Sequence, residues 1–211
     1  MPKAAPFETH HRRYDAWFET HEGAYVSELL ALRPFVPWEG RGLEIGVGTG
    51  RFAAPLGVEM GLDPSPAMLS HAAARGIRTV AGVAERLPFR DGSFDYALLV
   101  TTLCFVDSPE ETFAEAYRVL NSDGCLTIGF IDRESSLGRQ YEARRDENVF
   151  YPEATFYCAE EVERLLGNAR FSIRSWAQTL GLPSHETTTI EPLHPGHGEG
   201  AFVVVSAAKG R

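Results

Sequence analysis

Apolar and polar positions along the chain alternate between a helical and an extended period. Residues 7–33 carry apolar side chains at helical spacing, with Tyr14, Trp17 and Phe18 on one face and Tyr25, Leu29, Leu30 and Leu32 extending the stripe. Pro34 and Pro37 stop it, and Gly40-Arg41-Gly42 leads into a short apolar run through Leu43 that reads as a first strand. A short helix follows, then a strand over 58–62 that ends at Asp63. Ser65 and Pro66 mark a helix start, as cap and first-turn residue. Strands are expected over 77–81 and 96–100, with an amphipathic helix from Pro109 to Leu120. Residues 121–124 read as a turn and 125–131 as a fifth strand. A charged, aromatic stretch, 132–157, interrupts the pattern. A helix over 159–166 and the strands 171–180 and 201–207 of a β-hairpin complete it.

Strands alternating with helices predict an α/β fold, a doubly wound and mostly parallel sheet with an antiparallel C-terminal hairpin. The 211 residues fit one domain: a helical cap over 1–38, a ligand-binding core over 39–131, a lid over 132–157, and a terminal helix and hairpin over 158–211. Ligands of such sheets bind where the carboxyl ends of the strands meet a topological switch. That rule gathers residues 44–50, Asp63, Ala84 with Glu85, and Thr101 with Thr102 at one crevice.

The core is organised around Leu43-Glu44-Ile45-Gly46-Val47-Gly48-Thr49-Gly50-Arg51. Glycines at this spacing accept positive φ and admit another molecule to the backbone. The dinucleotide fingerprint needs glycine at relative positions one, three and six, and here the sixth is Arg51. Glu44 beside the turn would repel a pyrophosphate, whereas it suits an ammonium group and a sulfonium. The stretch resembles motif I of the class I S-adenosylmethionine-dependent methyltransferases, Glu-x-Gly-x-Gly-x-Gly. Gly82-Val83-Ala84-Glu85-Arg86-Leu87-Pro88-Phe89 followed by Ser93-Phe94-Asp95 is similar to the small-molecule branch of that family, as is Arg118-Val119-Leu120 with Gly124. Val83 departs from the family, standing where an aspartate would meet the adenine amino group; either the contact is missing or another group, with Glu85 nearest, supplies it.

The resemblance implies S-adenosyl-L-methionine as cofactor and methyl transfer to a small molecule by in-line displacement. It implies a cofactor site from Glu44, Gly46, Gly48, Thr49, Gly50, Asp63, Pro64, Ser65, Met68, Ala84, Glu85, Thr101 and Thr102. Asp63, at the tip of the second strand, can accept two hydrogen bonds from a ribose diol, or serve only as a turn residue before Pro64. Met68 can pack on an adenine face or simply fill core. Nothing in the core motifs would shield the methyl group from water. The N-terminal aromatics Tyr14 and Trp17 and the lid residues Tyr141, Phe150 and Tyr151 are the side chains expected to wall off the acceptor. A base for the acceptor could come from the seven histidines, Asp132 or Tyr141, with no ground for choosing.

Composition narrows the partners. A net charge of −9 argues against a nucleic-acid substrate. No apolar run reaches the ~18 residues of a membrane helix, and no apolar stretch follows the charged N-terminus, so a cytoplasmic location is expected. Cys104, Cys125 and Cys158 are too scattered for a disulfide framework or zinc site. His194 and His197 lack a third metal ligand nearby, and no metal is expected. Neither monomer nor homodimer is favoured. Two rival functions stand beside methyl transfer: a nicotinamide-dependent oxidoreductase, and a non-catalytic S-adenosylmethionine-binding protein.

Overall fold

The structure, a computed structural model, describes residues 3–181 and 189–210. Its helices are α1 (Ala5–Thr20), α2 (Glu22–Leu32), α3 (Ala53–Leu56), α4 (Pro66–Ala74), α5 (Pro109–Val119), α6 (Ser136–Ala143) and α7 (Ala159–Asn168). Its strands are β1 (Gly42–Ile45), β2 (Met60–Asp63), β3 (Arg78–Ala81), β4 (Phe94–Val100), β5 (Leu120–Ile131), β6 (Phe171–Thr179), β7 (His194–Pro195) and β8 (Phe202–Lys209).

One eight-stranded sheet runs in the order β3-β2-β1-β4-β5-β8-β6-β7. The five strands from β3 to β5 are parallel, and β8 runs antiparallel to both of its neighbours, β5 and β6. This is the expected Rossmann-like, doubly wound architecture. Successive side chains of a strand face opposite ways, and the sheet sorts them into two cores. Leu43 and Ile45 pack with Phe113, Leu126 and Leu166 on one face. Leu98 and Val100 pack with Leu32, Phe52 and Phe202 on the other.

Three elements differ in detail from the sequence pattern. The apolar stripe over 7–33 forms two helices, because His21 (φ −123°, ψ 45°) breaks it. Before that break α1 lies mainly against α4, while its Phe18 shares a core with Ala24 and Leu32 of α2. The expected turn over 121–124 bulges out of a continuous strand: Phe94 pairs with Leu120, and Tyr96 next pairs with Cys125. The terminal hairpin inserts its last strand between β5 and β6 rather than adding it outside. Buried apolar side chains along the first half of β8 (Phe202, Val203, Val204, Val205) suit that central place, whereas β6 leaves Ser172, Arg174 and Ser175 exposed. Among the described residues no helix is long and apolar enough to cross a membrane.

Candidate functional site

The β1–α3 turn places its three glycines in the left-handed region, at φ +75° for Gly46, +53° for Gly48 and +81° for Gly50. The amides of Gly46 and Val47 both donate to the Leu62 carbonyl, at 2.8 and 2.9 Å, which ties the turn to β2. Each glycine has its own reason. A Cβ on Gly46 would fall 2.2 Å from Thr102 Cγ2, and one on Gly50 would fall 2.7 Å from Ile77 Cδ1. A Cβ on Gly48 would meet only the Tyr14 ring, at an ordinary 3.6 Å. Gly48 is thus the position of the three where a missing side chain leaves room for a ligand.

Around this turn lies a cleft lined by Gly46, Gly48, Asp63, Pro64, Met68, Ala84, Glu85, Thr101 and Thr102. The ends of four parallel strands therefore converge as the fold rule requires. Glu44, Thr49, Gly50 and Ser65 do not line it. Glu44 is buried beneath the turn, where Oε2 has no hydrogen-bond partner among the described residues. Burial holds its carboxyl well above the usual range, against a backbone hydrogen bond from Ala53, and the charge of Asp63 adds to the rise. Thr49 is buried, with its carbonyl accepting from Arg75 Nη1 at 2.9 Å. Ser65 caps α4, accepting from the Met68 amide at 3.2 Å.

Asp63 accepts from the amides of Gly48 and Ser65, at 3.0 and 2.9 Å. Burial raises it to about 6 in spite of these donors. Glu85 Oε1 accepts from the amides of Asp107 and Ser108 at the start of α5, at 2.7 and 3.3 Å, so that oxygen is already engaged. Thr102 Oγ1 donates to the carbonyls of Gly46 and Val100 and clamps the turn to the end of β4. Thr101, at φ 49°, is one of three described non-glycine residues in the left-handed region, the kind of backbone strain that clusters at functional sites.

Helix α1 roofs the cleft, with Lys3, Ala4, Phe7 and Tyr14 on its lining. Two carboxylates hold the roof. Glu8 Oε2 accepts from Ser65 Oγ at 2.5 Å and the Ala67 amide at 3.0 Å. Asp15 accepts from Arg51 Nε and Nη2, at 2.9 and 2.8 Å, and from Arg75 Nη2 at 3.0 Å. Burial alone would raise the Asp15 carboxyl, but the hydrogen bonds from Arg51, Thr49 and Arg75 hold it well below the usual range.

Behind the roof is a second cavity of about 810 Å³, within the size of small-molecule sites. Tyr14, Trp17, Tyr141, Phe150 and Tyr151, the five expected wall residues, all line it. Phe7 stacks on Phe150 with ring centroids 5.1 Å apart, Tyr141 meets Tyr151 at 5.0 Å, and Tyr151 meets Phe156 at 5.5 Å. Phe7, Tyr14, Thr101 and Phe105 line both spaces, so the two meet there. Sequence reasoning missed Phe7, Phe105 and Glu28 as lining residues. Phe7 opens the aromatic stripe, and Glu28 is a carboxylate inside it, between Tyr25 and Leu29; the odd polar residue was the available signal. Phe105 lay in a segment with no periodicity.

Among the described residues no three His, Cys, Asp or Glu side chains cluster as a metal site. His194 pairs with Gln178 in β7, and the His197 ring sits 4.8 Å from Trp176.

Comparison with known proteins agrees with this geometry. The methyltransferase domain family matches residues 43–128. A solved Thermotoga maritima protein, described as a SAM-dependent methyltransferase and possible histamine N-methyltransferase, is 48% identical with a TM-score of 0.95, covering 98% of this chain and 99% of its own. An uncharacterized protein of Methanocaldococcus jannaschii is 41% identical over 96% of this chain and 98% of its own length. A ubiquinone/menaquinone biosynthesis C-methyltransferase of Methylobacterium nodulans is 36% identical over 63% of this chain and 61% of its own. The chain belongs to the class I S-adenosylmethionine-dependent methyltransferase family.

Proposed function

We propose that the protein transfers a methyl group from S-adenosylmethionine to a small-molecule acceptor held in the aromatic cavity. The carrying observation is that the cleft at the strand tips and the aromatic cavity share one wall, Phe7, Tyr14, Thr101 and Phe105. A donor on one side and an acceptor on the other would face each other there, between aromatic side chains.

The residues present fit the cofactor. The open side of Gly48 and the buried, two-oxygen acceptor Asp63 suit a nucleoside at the turn, with buried Met68 and Ala84 as apolar surface for a base. Asp63 and Glu85, the carboxylates that line the cleft, favour a cationic ligand over a pyrophosphate, and with Arg51 in place of the fingerprint's last glycine they count against a nicotinamide dinucleotide. When bound, the cofactor supplies an electrophilic methyl group carried on a sulfonium. The protein's part is then to align a nucleophile with that group, for which the ring-lined wall provides shape and dryness. Tyr14 is placed to orient rather than to exchange a proton, because burial holds its hydroxyl well above the ordinary range.

Two measurements test the reading. Calorimetry should find micromolar binding of S-adenosylmethionine and none of NADH; the reverse preference would restore the oxidoreductase reading. A screen of small acceptors for S-adenosylhomocysteine release separates an enzyme from a mere binder.

A further inference from the structure

The aromatic cavity holds one buried charge-bearing group that methyl-group alignment does not require. Glu28 lies on α2 and lines the cavity while only 3% exposed. No hydrogen-bond partner meets its carboxyl among the described residues, unlike Asp63, Glu8 and Glu85, which all accept from backbone amides. The acidic neighbour on the same lining, Glu147, is exposed, as are Arg13 and Arg144, so these belong to the rim. Ionising a buried carboxyl with no partner costs several kcal/mol, so such a group stays protonated until a cation pairs with it. Here the rings of Tyr14, Trp17, Tyr141 and Tyr151 line the same space. Electron-rich ring faces attract a cation, which is the partner a bare carboxylate lacks.

We propose that the acceptor carries a cationic amine as its anchor, and that Glu28 pairs with that ammonium group inside the aromatic cavity. An ammonium nitrogen has no lone pair, so the methyl goes to another nucleophilic atom of the acceptor, and any proton displaced there leaves to solvent. The assignment rests on the methyl-transfer reading of the adjoining cleft and adds the acceptor's chemical class and its anchoring residue. Burial alone raises Glu28 to about 8, so near neutrality the free carboxyl is mostly protonated. The titratable groups that feel its charge are Tyr14 of α1, Tyr25 of its own helix and Tyr151 of the lid, all of them raised and neutral at that pH. Cys104 and Tyr157, both raised by burial, and Tyr141, His21, Arg13, Arg144 and Glu147 complete the titratable lining. Pairing with an ammonium ionises Glu28, and at pH 7 this releases about 0.9 proton for each amine bound.

The test uses 2-phenylethylamine and its neutral counterpart 2-phenylethanol, titrated into the whole protein saturated with S-adenosylhomocysteine. The amine should bind at least tenfold more tightly than the alcohol, with release of close to one proton measured in buffers of different ionisation enthalpy. Both the preference and the proton release should vanish in Glu28→Gln, an isosteric change that leaves S-adenosylhomocysteine affinity as it was and so reports that the variant is folded. Equal binding of amine and alcohol, no binding of either, or a preference that survives in Glu28→Gln overturns the role of Glu28 while cofactor binding stands. Failure of the wild-type protein to bind S-adenosylhomocysteine overturns the cofactor reading and the amine proposal with it.

Discussion

The three glycines of the β1–α3 turn should respond differently to the same small change. In Gly48→Ala the new methyl meets only Tyr14, at 3.6 Å, so the folded state loses little more than the left-handed backbone penalty. That penalty is roughly 1–2 kcal/mol, or about 2–8 °C in melting temperature for a chain of this size. In Gly46→Ala the methyl would stand 2.2 Å from Thr102, which must turn away and abandon its hydrogen bonds to the Gly46 and Val100 carbonyls. Adding about 1–3 kcal/mol for those losses brings the cost to roughly 2–5 kcal/mol. Gly50→Ala should also destabilise, because its methyl runs into Ile77 at 2.7 Å and the Ala72 backbone at 3.1 Å. Ligand binding should rank the variants the other way. The Gly48 methyl projects into the cleft, and overpacking of about 1–3 kcal/mol corresponds to roughly 5- to 150-fold weaker S-adenosylhomocysteine binding. Thermal unfolding and calorimetry on the same samples separate the two effects. Should Gly48→Ala bind within twofold of wild type, the open side of that residue is not where the cofactor lies, and the site assignment fails.

Asp63 should make cofactor affinity depend on pH. The ionised carboxylate is the form that accepts ribose hydroxyls, so with a value of about 6 protonation competes with binding; affinity should be flat above about pH 7 and about tenfold weaker at pH 5. A calorimetric profile that stays level across that range would return Asp63 to a purely structural role. Asp15→Ala should leave Arg51 and Arg75 as unpaired neighbours, cost about 2 kcal/mol, and speed hydrogen exchange in α1 without affecting β4 or β5; unchanged α1 exchange would mean that the roof is held by ring packing alone. Residues 132–157 and α1 should be poorly protected in the free protein and slowed together by S-adenosylhomocysteine, whereas equal protection in both states would make them ordinary core covering.

The parallel half of the sheet was legible because its signals are local: apolar runs ended by Glu44, Asp63 and Val100, each followed by a turn and a helix start. The places where reading failed depend on distant partners. The break at His21 falls inside an apolar stripe that runs on through both helices, so periodicity does not locate it. The 121–124 segment has turn chemistry, with the Asp123 amide donating to Asn121 Oδ1, yet its flanks both pair with β4. Periodicity cannot tell a strand at the edge from one inserted between β5 and β6. For the site, spacing located the cleft but not the depth of its members. Glu44 lies under the turn and not in the cleft, because alternation along β1 settles its face while only the assembled sheet settles what covers it. Glu28 was hidden by its neighbours: one carboxylate among apolar residues reads as a helix surface position until a cavity appears beneath it.

Arg51 links the two halves of the argument. It stands where a dinucleotide fingerprint would keep a glycine, and on that ground alone it separates this turn from a pyrophosphate cradle. In the structure the same guanidinium grips Asp15 through two nitrogens and reaches Glu19 at 2.9 Å, so it fastens α1 over the cleft. The second fastening, Glu8 on Ser65 and Ala67, starts two residues beyond Asp63. Both ties of the roof are therefore rooted beside the strand tips where the cofactor is expected. The cleft beneath the roof holds about 80 Å³ and communicates past Phe7, Tyr14, Thr101 and Phe105 with the larger cavity. Phe7 and Tyr14 wall both spaces, so the position of α1 bears on cleft and aromatic cavity together. A cofactor that settles against α1 would therefore order the wall that the acceptor also meets, which is the expectation that the hydrogen-exchange comparison with S-adenosylhomocysteine tests.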